Sequence, residues 1–225
     1  MAEQRMTPDV ANLVVAVLGG TGDQGRGLAK RLAAAGNPVI IGSRSAERAA
    51  AAAAALGGGP AIRGMPNEDA ARLGDLVIAA VPWEGHQDLL ASLAGPLAGK
   101  IVIDCVNPVA FDNRGCYPLR AAEGSAAEQA AAVLPDSVVV GAFHHVSAVL
   151  LLDPEITEID LDVLVLGDDR QATDLVQALA ARIPGVRGVY GGRLRNCSQV
   201  EAFTANLVSI NRRYKSHAGL RITDV

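Results

Sequence analysis

The stretch VAVLGGTGDQGRG, residues 15–27, constrains this chain more than any other. An apolar run ends in glycines, a helical pattern follows from about Gln24 to Ala35, and Gly36 and Pro38 punctuate before a second apolar run, Val39 to Ile41. That order predicts a strand, a tight turn, a helix and a second strand. Gly20, Gly22 and Gly25 form G-x-G-x-x-G at the first junction. There glycine permits the turn and lets a pyrophosphate approach the helix N-terminus, with backbone N–H groups around Thr21 to Gln24 as donors. The spacing alone is a weak signal; its place between a strand and a helix gives it weight.

The rhythm continues. Ala46 to Leu56 predicts a helix, despite seven consecutive alanines at 49–55, because alanine favours helix strongly. Strands are expected near Ile62, at Asp75 to Val81, Lys100 to Cys105, Ser137 to Phe143 and Asp162 to Leu166, with a weaker one at Val186 to Tyr190. Continuous apolar runs alternating with helices indicate an α/β fold of Rossmann type, doubly wound, with a mainly parallel sheet covered on both faces. Residues 106–124 carry two prolines and two glycines after a strand end, and are expected to form a long loop beside a site. From Asn196 to about Lys215, Val200, Phe203, Leu207 and Ile210 recur at helical spacing. The expected organisation is a tail at 1–12, a dinucleotide-binding domain at 13–192, and a small helical cap or dimer element at 193–225.

Composition narrows the class. With 225 residues and a net charge of -4, the chain can bury one sizeable core and carries no basic run of the kind that follows nucleic acid. No apolar stretch approaches the roughly 20 residues that span a bilayer, and the start, MAEQRMTPDVAN, lacks the apolar region of a signal peptide. A cytoplasmic protein without membrane or nucleic-acid partners is expected. Cys105, Cys116 and Cys197 are odd in number and lack CxxC spacing, so they read as reduced thiols rather than a disulfide framework or zinc site.

The second strand separates the dinucleotides. A fold that selects NAD usually ends this strand in an acid that bonds the adenosine ribose; here it ends IIGSRSAER. Ser43, Arg44 and Arg48 replace the carboxylate with a hydroxyl and two cations, a set suited to the 2′-phosphate of NADP. For Arg48, with Glu47 beside it, a solvated helix start is the alternative.

The stretches LGGTGDQGRGLAKRLAAAGNPVIIGSRSAERA, NEDAARLGDLVIAAVPWEG and VVVGAFHHVSA together resemble the NADPH-dependent coenzyme F-420 reductases, from about Leu13 to the C-terminal helix. A broader relationship to pyrroline-5-carboxylate reductases is also implied. The resemblance implies that Thr21, Gly22, Asp23 and Gln24 wrap the pyrophosphate and that Ser43, Arg44 and Arg48 hold the 2′-phosphate. It places Val81, Pro82, Trp83 and Gln87 along the nicotinamide, with Ala148 near its amide, and it implies a homodimer. Asn107 and Pro108 would face the deazaflavin. His144 either borders that ring or is a satisfied structural histidine; His144 and His145 together make a poor metal chelate, and no metal site is expected. Trp83 is either a stacking platform or a core anchor.

The implied reaction is hydride transfer between NADP(H) and coenzyme F-420, two flat rings held about 3–3.5 Å apart with water excluded, which requires no protein nucleophile. Because F-420 also carries a phosphate and a glutamate tail, Arg114, Arg120 and Arg195 are candidates for its exit path. An NADPH-dependent reductase of an imine or another flavin-like acceptor, and a non-catalytic NADP(H) redox sensor, are the alternatives.

Overall fold

Valine and isoleucine runs too apolar for a solvent-facing strand have one stable place, the interior of a sheet covered on both sides. The computed structural model, described for residues 8–225, puts them there. The N-terminal tail expected at 1–12 therefore lies partly outside the described residues. The first half runs β1 (Val15–Leu18), α1 (Asp23–Ala34), β2 (Val39–Ser43), α2 (Ala46–Ala55), β3 (Ile62–Pro66), α3 (Asn67–Leu73) and β4 (Leu76–Ala79). After a 3-10 turn at Trp83–Gly85 come α4 (His86–Ser92), α5 (Ala94–Leu97), β5 (Ile101–Asp104), β6 (Val109–Asp112) and β7 (Gly115–Pro118). The remainder is α6 (Ala126–Val133), β8 (Val138–Gly141), α7 (Ala148–Leu152), β9 (Leu161–Gly167), α8 (Arg170–Ala180), β10 (Val186–Gly192) and α9 (Cys197–Tyr214).

Eight strands form one sheet in the order β10-β9-β8-β5-β4-β1-β2-β3. All neighbours are parallel except β8 and β9, where Val140 pairs with Gly167 and Gly141 with Leu166. Alternate residues feed two cores: Val15, Val17, Ile41, Ile78 and Ile103 on one face, Ala16, Leu18, Ile40, Val77 and Val102 on the other. From β1 the chain goes to β2 on one side and reaches β4 on the other. That switch opens a crevice at the C-terminal strand ends, where ligands bind in such sheets.

The alanine run has a packing reason. Ala49 and Ala53 are buried, and a Cβ at Gly64 would lie 2.2 Å from the Ala49 carbonyl carbon. The α2 backbone thus rests directly on β3, which larger side chains would prevent.

The segment 106–124 corrects the expectation of a long loop, because it holds the antiparallel hairpin β6–β7. Asp112 Oδ1 accepts from the N–H of Arg114 (2.8 Å) and of Gly115 (3.1 Å), and Gly115 takes φ +128°, which together close the turn. The hairpin and α6 both pack against α9, whose Val200 and Leu207 are buried while Phe203 and Ile210 stay partly exposed.

Candidate active site: a cleft from the glycine turn to the last helix

The crevice is one cleft of about 930 Å³ running from the glycine turn to α9. Its first wall starts one residue earlier than the G-x-G-x-x-G spacing indicates. Gly19 has φ +69°, and a Cβ there would lie 2.4 Å from Val81 Cγ1. Gly20 and Gly25 do not line the cleft; they pack on each other, since a Cβ on Gly25 would sit 2.7 Å from Gly20 Cα. Gly22 is different: it has ordinary extended geometry (φ -80°, ψ 166°), and the nearest atom to a Cβ there is Gly19 O at 3.8 Å. Its missing side chain leaves room in the cleft rather than in the protein. Thr21, Asp23 and Gln24 line the cleft beside it, where the first N–H groups of α1 have no intrahelical partner.

At the end of β2, Ser43 is buried and lines the cleft, as do the exposed Arg44 and Arg48. Among the described residues neither guanidinium has a hydrogen-bonded or ionic partner, so Glu47 does not neutralise Arg48. Ser45 starts α2 by accepting from the Arg48 N–H at 3.3 Å. Asn67, which the sequence reading passed over, is buried here with its Oδ1 unpartnered. An open glycine cradle, two uncompensated cations and an orphaned amide oxygen fit a dinucleotide carrying a 2′-phosphate.

The middle of the cleft is Val81, Pro82 and Trp83, and Trp83 rests on His86 with ring centroids 5.8 Å apart and 28° between planes. His86 is fully buried. Its Nε2 lies 2.6 Å from Asp104 Oδ2 and its Nδ1 3.0 Å from Gln129 Oε1. Gln129 Nε2 donates to Glu123 Oε2 at 3.1 Å, which turns the amide oxygen towards His86. An acceptor at each ring nitrogen favours the protonated ring. Burial opposes that charge, but the hydrogen bond and charge of Asp104, with the Gln129 acceptor, raise the His86 pKa above its usual value. Gln87, one residue on, is exposed and does not line the cleft.

The far half is built from the turn after β8 and from α9. Phe143 is buried with φ +64°, a conformation that costs a side-chain-bearing residue free energy, and its carbonyl accepts from Gln24 Nε2 at 3.2 Å. The glycine-turn helix thereby grips the β8 turn. Asn107 Nδ2 (2.7 Å) and Thr204 Oγ1 (3.3 Å) both donate to the His144 carbonyl. The His144 ring nitrogens, by contrast, are buried without partners, Nε2 lying 4.0 Å from Glu201 Oε1. Burial pushes the pKa of His144 and of His145 down to about 4, so both rings are neutral. Burial pushes Glu201 up to about 7, held back by the N–H groups of Ala126 (2.9 Å) and Ala127 (3.2 Å) that donate to it. Thr204, Leu207, Val208 and Asn211, at helical spacing, present one face of α9 to the cleft. Cys105 also lines it, but burial raises its thiol pKa, which makes it a poor nucleophile.

Pro108 and Arg120 lie instead on a separate pocket of about 240 Å³ beside Ser198 and Glu201. Ala148 begins α7 just past Ser147, the last residue of its segment to line the cleft, and Arg114 and Arg195 line neither cavity. His86, Asp104, Gln129 and Glu201 escaped the sequence reading. The available signal was a carboxylate inside an apolar run: Asp104 in IVIDC, and Glu201 on the buried stripe of α9.

Fold and cleft define a Rossmann-type dinucleotide-binding oxidoreductase. The family profile described as "NADP oxidoreductase coenzyme F420-dependent" matches residues 14–108. The F420-dependent NADP reductase of Methanocaldococcus jannaschii is 40% identical over 221 residues, covering 94% of this chain and 98% of that one. The chain belongs to the F420-dependent NADP reductase family. A crystal structure of a candidate F420-dependent NADP-reductase from Arthrobacter sp. FB24 has a TM-score of 0.81 at 26% identity, covering 94% of this chain and 100% of that one. Pyrroline carboxylate reductase of Plasmodium falciparum, solved with NADP bound, shares the fold alone, with a TM-score of 0.60 at 12% identity over 92% of this chain and 66% of that one.

Proposed function

We propose that this chain moves a hydride reversibly between NADP(H) and the deazaflavin coenzyme F-420. The carrying observation is that one cleft joins a glycine turn and two arginines, unpaired among the described residues, to a second half walled by Asn107, the His144 carbonyl and α9. When bound, the nicotinamide and deazaflavin supply the hydride donor and acceptor. The chain's own task is placement and exclusion of water. The open side of Gly22 and the α1 N–H groups receive the pyrophosphate, while Ser43, Arg44 and Arg48 receive the 2′-phosphate. Trp83, fixed from behind by His86, holds the nicotinamide side. Asn107 and Thr204, locked on the His144 carbonyl, give the acceptor half a rigid polar edge. Family membership favours this reading over an imine reductase or a sensor.

The finer assignments belong to the same proposal. Phe111, Tyr117, Phe203, Ile210 and Tyr214 expose apolar surface on the hairpin and α9, which supports a homodimer. Residues 13–192 would form the dinucleotide-binding unit and 193–225 the accessory element. A cytoplasmic setting accords with three free cysteines; among the described residues no helix is long and apolar enough to cross a membrane.

The test is absorbance of the oxidised deazaflavin on mixing with NADPH, with NADH and FMN as parallel controls. Bleaching with NADPH and F-420 alone supports the reading. NADPH binding without bleaching overturns it.

A further inference from the structure

The last ten residues have no secondary structure, yet they are held more tightly than their sequence requires. After α9 the chain reverses at Lys215 (φ +50°), and Asn211 Oδ1 accepts from the Ala218 N–H at 2.6 Å. Asn211 and Ala218 both line the cleft, and His217 Nδ1 lies 3.5 Å from Ser147 Oγ on the turn after β8. The segment then meets Asp162, whose side chain is fully buried. Arg187 clamps both carboxylate oxygens at 2.7 Å, Arg221 Nη1 bonds Oδ1 at 2.8 Å, and the Ile222 N–H bonds Oδ2 at 2.6 Å. Arg187 also donates to the Ile222 carbonyl (2.9 Å) and to the main-chain O of Val225 (2.8 Å), and the Asp162 N–H to the carbonyl of Leu220 (2.7 Å).

Topology explains why this cluster bears on the cleft. Because β9 runs antiparallel to β8 and Gly141 pairs with Leu166, Leu161 and Asp162 extend beyond the C-terminal end of β8, the end at which the cleft opens. The segment's contacts reach Ser147, Asn211 and the start of β9. Among the described residues none of its hydrogen bonds reaches the glycine turn or the end of β2.

We propose that Ser216–Val225 is a strap forming the outer wall of the acceptor half of the cleft, and that Asp162 is its latch and hence a positioning residue for the second co-substrate. This rests on the functional reading above. An apolar anchor would leave the strap free to slide; a buried carboxylate with four directed donors fixes its register. The donors converge from the strap (Arg221, Ile222) and from β10 (Arg187), so losing the charge loosens the strap's grip on β9 and leaves it the bonds of Arg187 to its main-chain oxygens and of Arg221 to Asp160.

The experiment pairs Asp162→Asn with a chain ended after Lys215, which is needed should the point variant fail to fold. Equilibrium binding of oxidised F-420 is read from its fluorescence, NADPH binding from quenching of Trp83, and strap attachment from hydrogen exchange of residues 216–225. In both variants F-420 Kd and KM should rise roughly tenfold while the NADPH values stay within about twofold. Unchanged F-420 Kd with the strap released or removed overturns the proposal, as does equal weakening of both ligands. A wild-type protein that neither binds nor reduces F-420 overturns the functional reading, and shows itself before any variant is compared.

Discussion

His86 Nε2 lies 2.6 Å from Asp104 Oδ2 in a site closed to solvent, directly behind Trp83. The pair is buried where an uncompensated charge is expensive, so removing one partner should be costly. We expect Asp104→Asn to destabilise the protein at pH 6 by roughly 3–5 kcal/mol in denaturant unfolding. The sign with pH follows from the raised His86 pKa: its contribution is complete below the unfolded value of 6.5 and is lost as pH rises through the folded value. The cost of Asp104→Asn should therefore shrink on the alkaline side. A cost independent of pH would mean that His86 is neutral.

Among the described residues Arg44 has no side-chain partner, so its removal should cost the fold little. Arg44→Ala should weaken NADPH binding by roughly 1.5–3 kcal/mol, the worth of a charge-assisted hydrogen bond, while NADH binding changes little. Titration of both nucleotides checks this. Equal losses would remove Arg44 from the 2′-phosphate site.

Most of the fold was legible because it is written locally. The glycine turn, the apolar strands and the arginines after β2 each lie within one short segment, and periodicity exposes them. The hairpin β6–β7 was not, because Pro108 and Pro118 flank it and resemble loop punctuation. In fact Pro118 ends a strand, where no ladder N–H is required of it. The inner network was hidden for another reason: His86, Asp104, Gln129 and Glu201 come from four separate segments, on α4, β5, α6 and α9, which only the tertiary fold brings together. His144 drew attention as a histidine near a strand end, but the atom bonded by Asn107 and Thr204 is its carbonyl, a group every residue carries.

Glu201 gives the pH dependence of stability a second component of the same sign. Its pKa is raised from 4.5 to about 7, so the folded state holds a proton that the unfolded chain releases. Stability should fall as pH rises from about 4.5 to about 7 and then level off. The groups facing Glu201 are the N–H groups of Ala126 and Ala127, with His86, Asp104, His144 and Cys197 nearby. Glu201→Gln keeps an acceptor for the α6 N–H groups and removes the titration. Unfolding free energies measured across this window should flatten in the variant, and an unaltered slope would assign the decline to another group.

Gly22 separates ligand space from protein space. Its backbone suits any residue, and a Cβ would meet nothing closer than Gly19 O at 3.8 Å. Gly22→Val should therefore fold, losing about 1 kcal/mol or less for a poorer helix start. The added methyls would occupy the volume assigned to the pyrophosphate, so NADPH and NADH should both weaken at least tenfold, or about 1.4 kcal/mol. Gly19→Val makes the contrasting case: a Cβ there lies 2.4 Å from Val81 Cγ1 on a φ of +69°, so that variant should lose stability before it loses affinity. Thermal unfolding beside nucleotide titration distinguishes the two glycines. If Gly22→Val bound both nucleotides like the wild type, the pyrophosphate would have to lie elsewhere in the cleft.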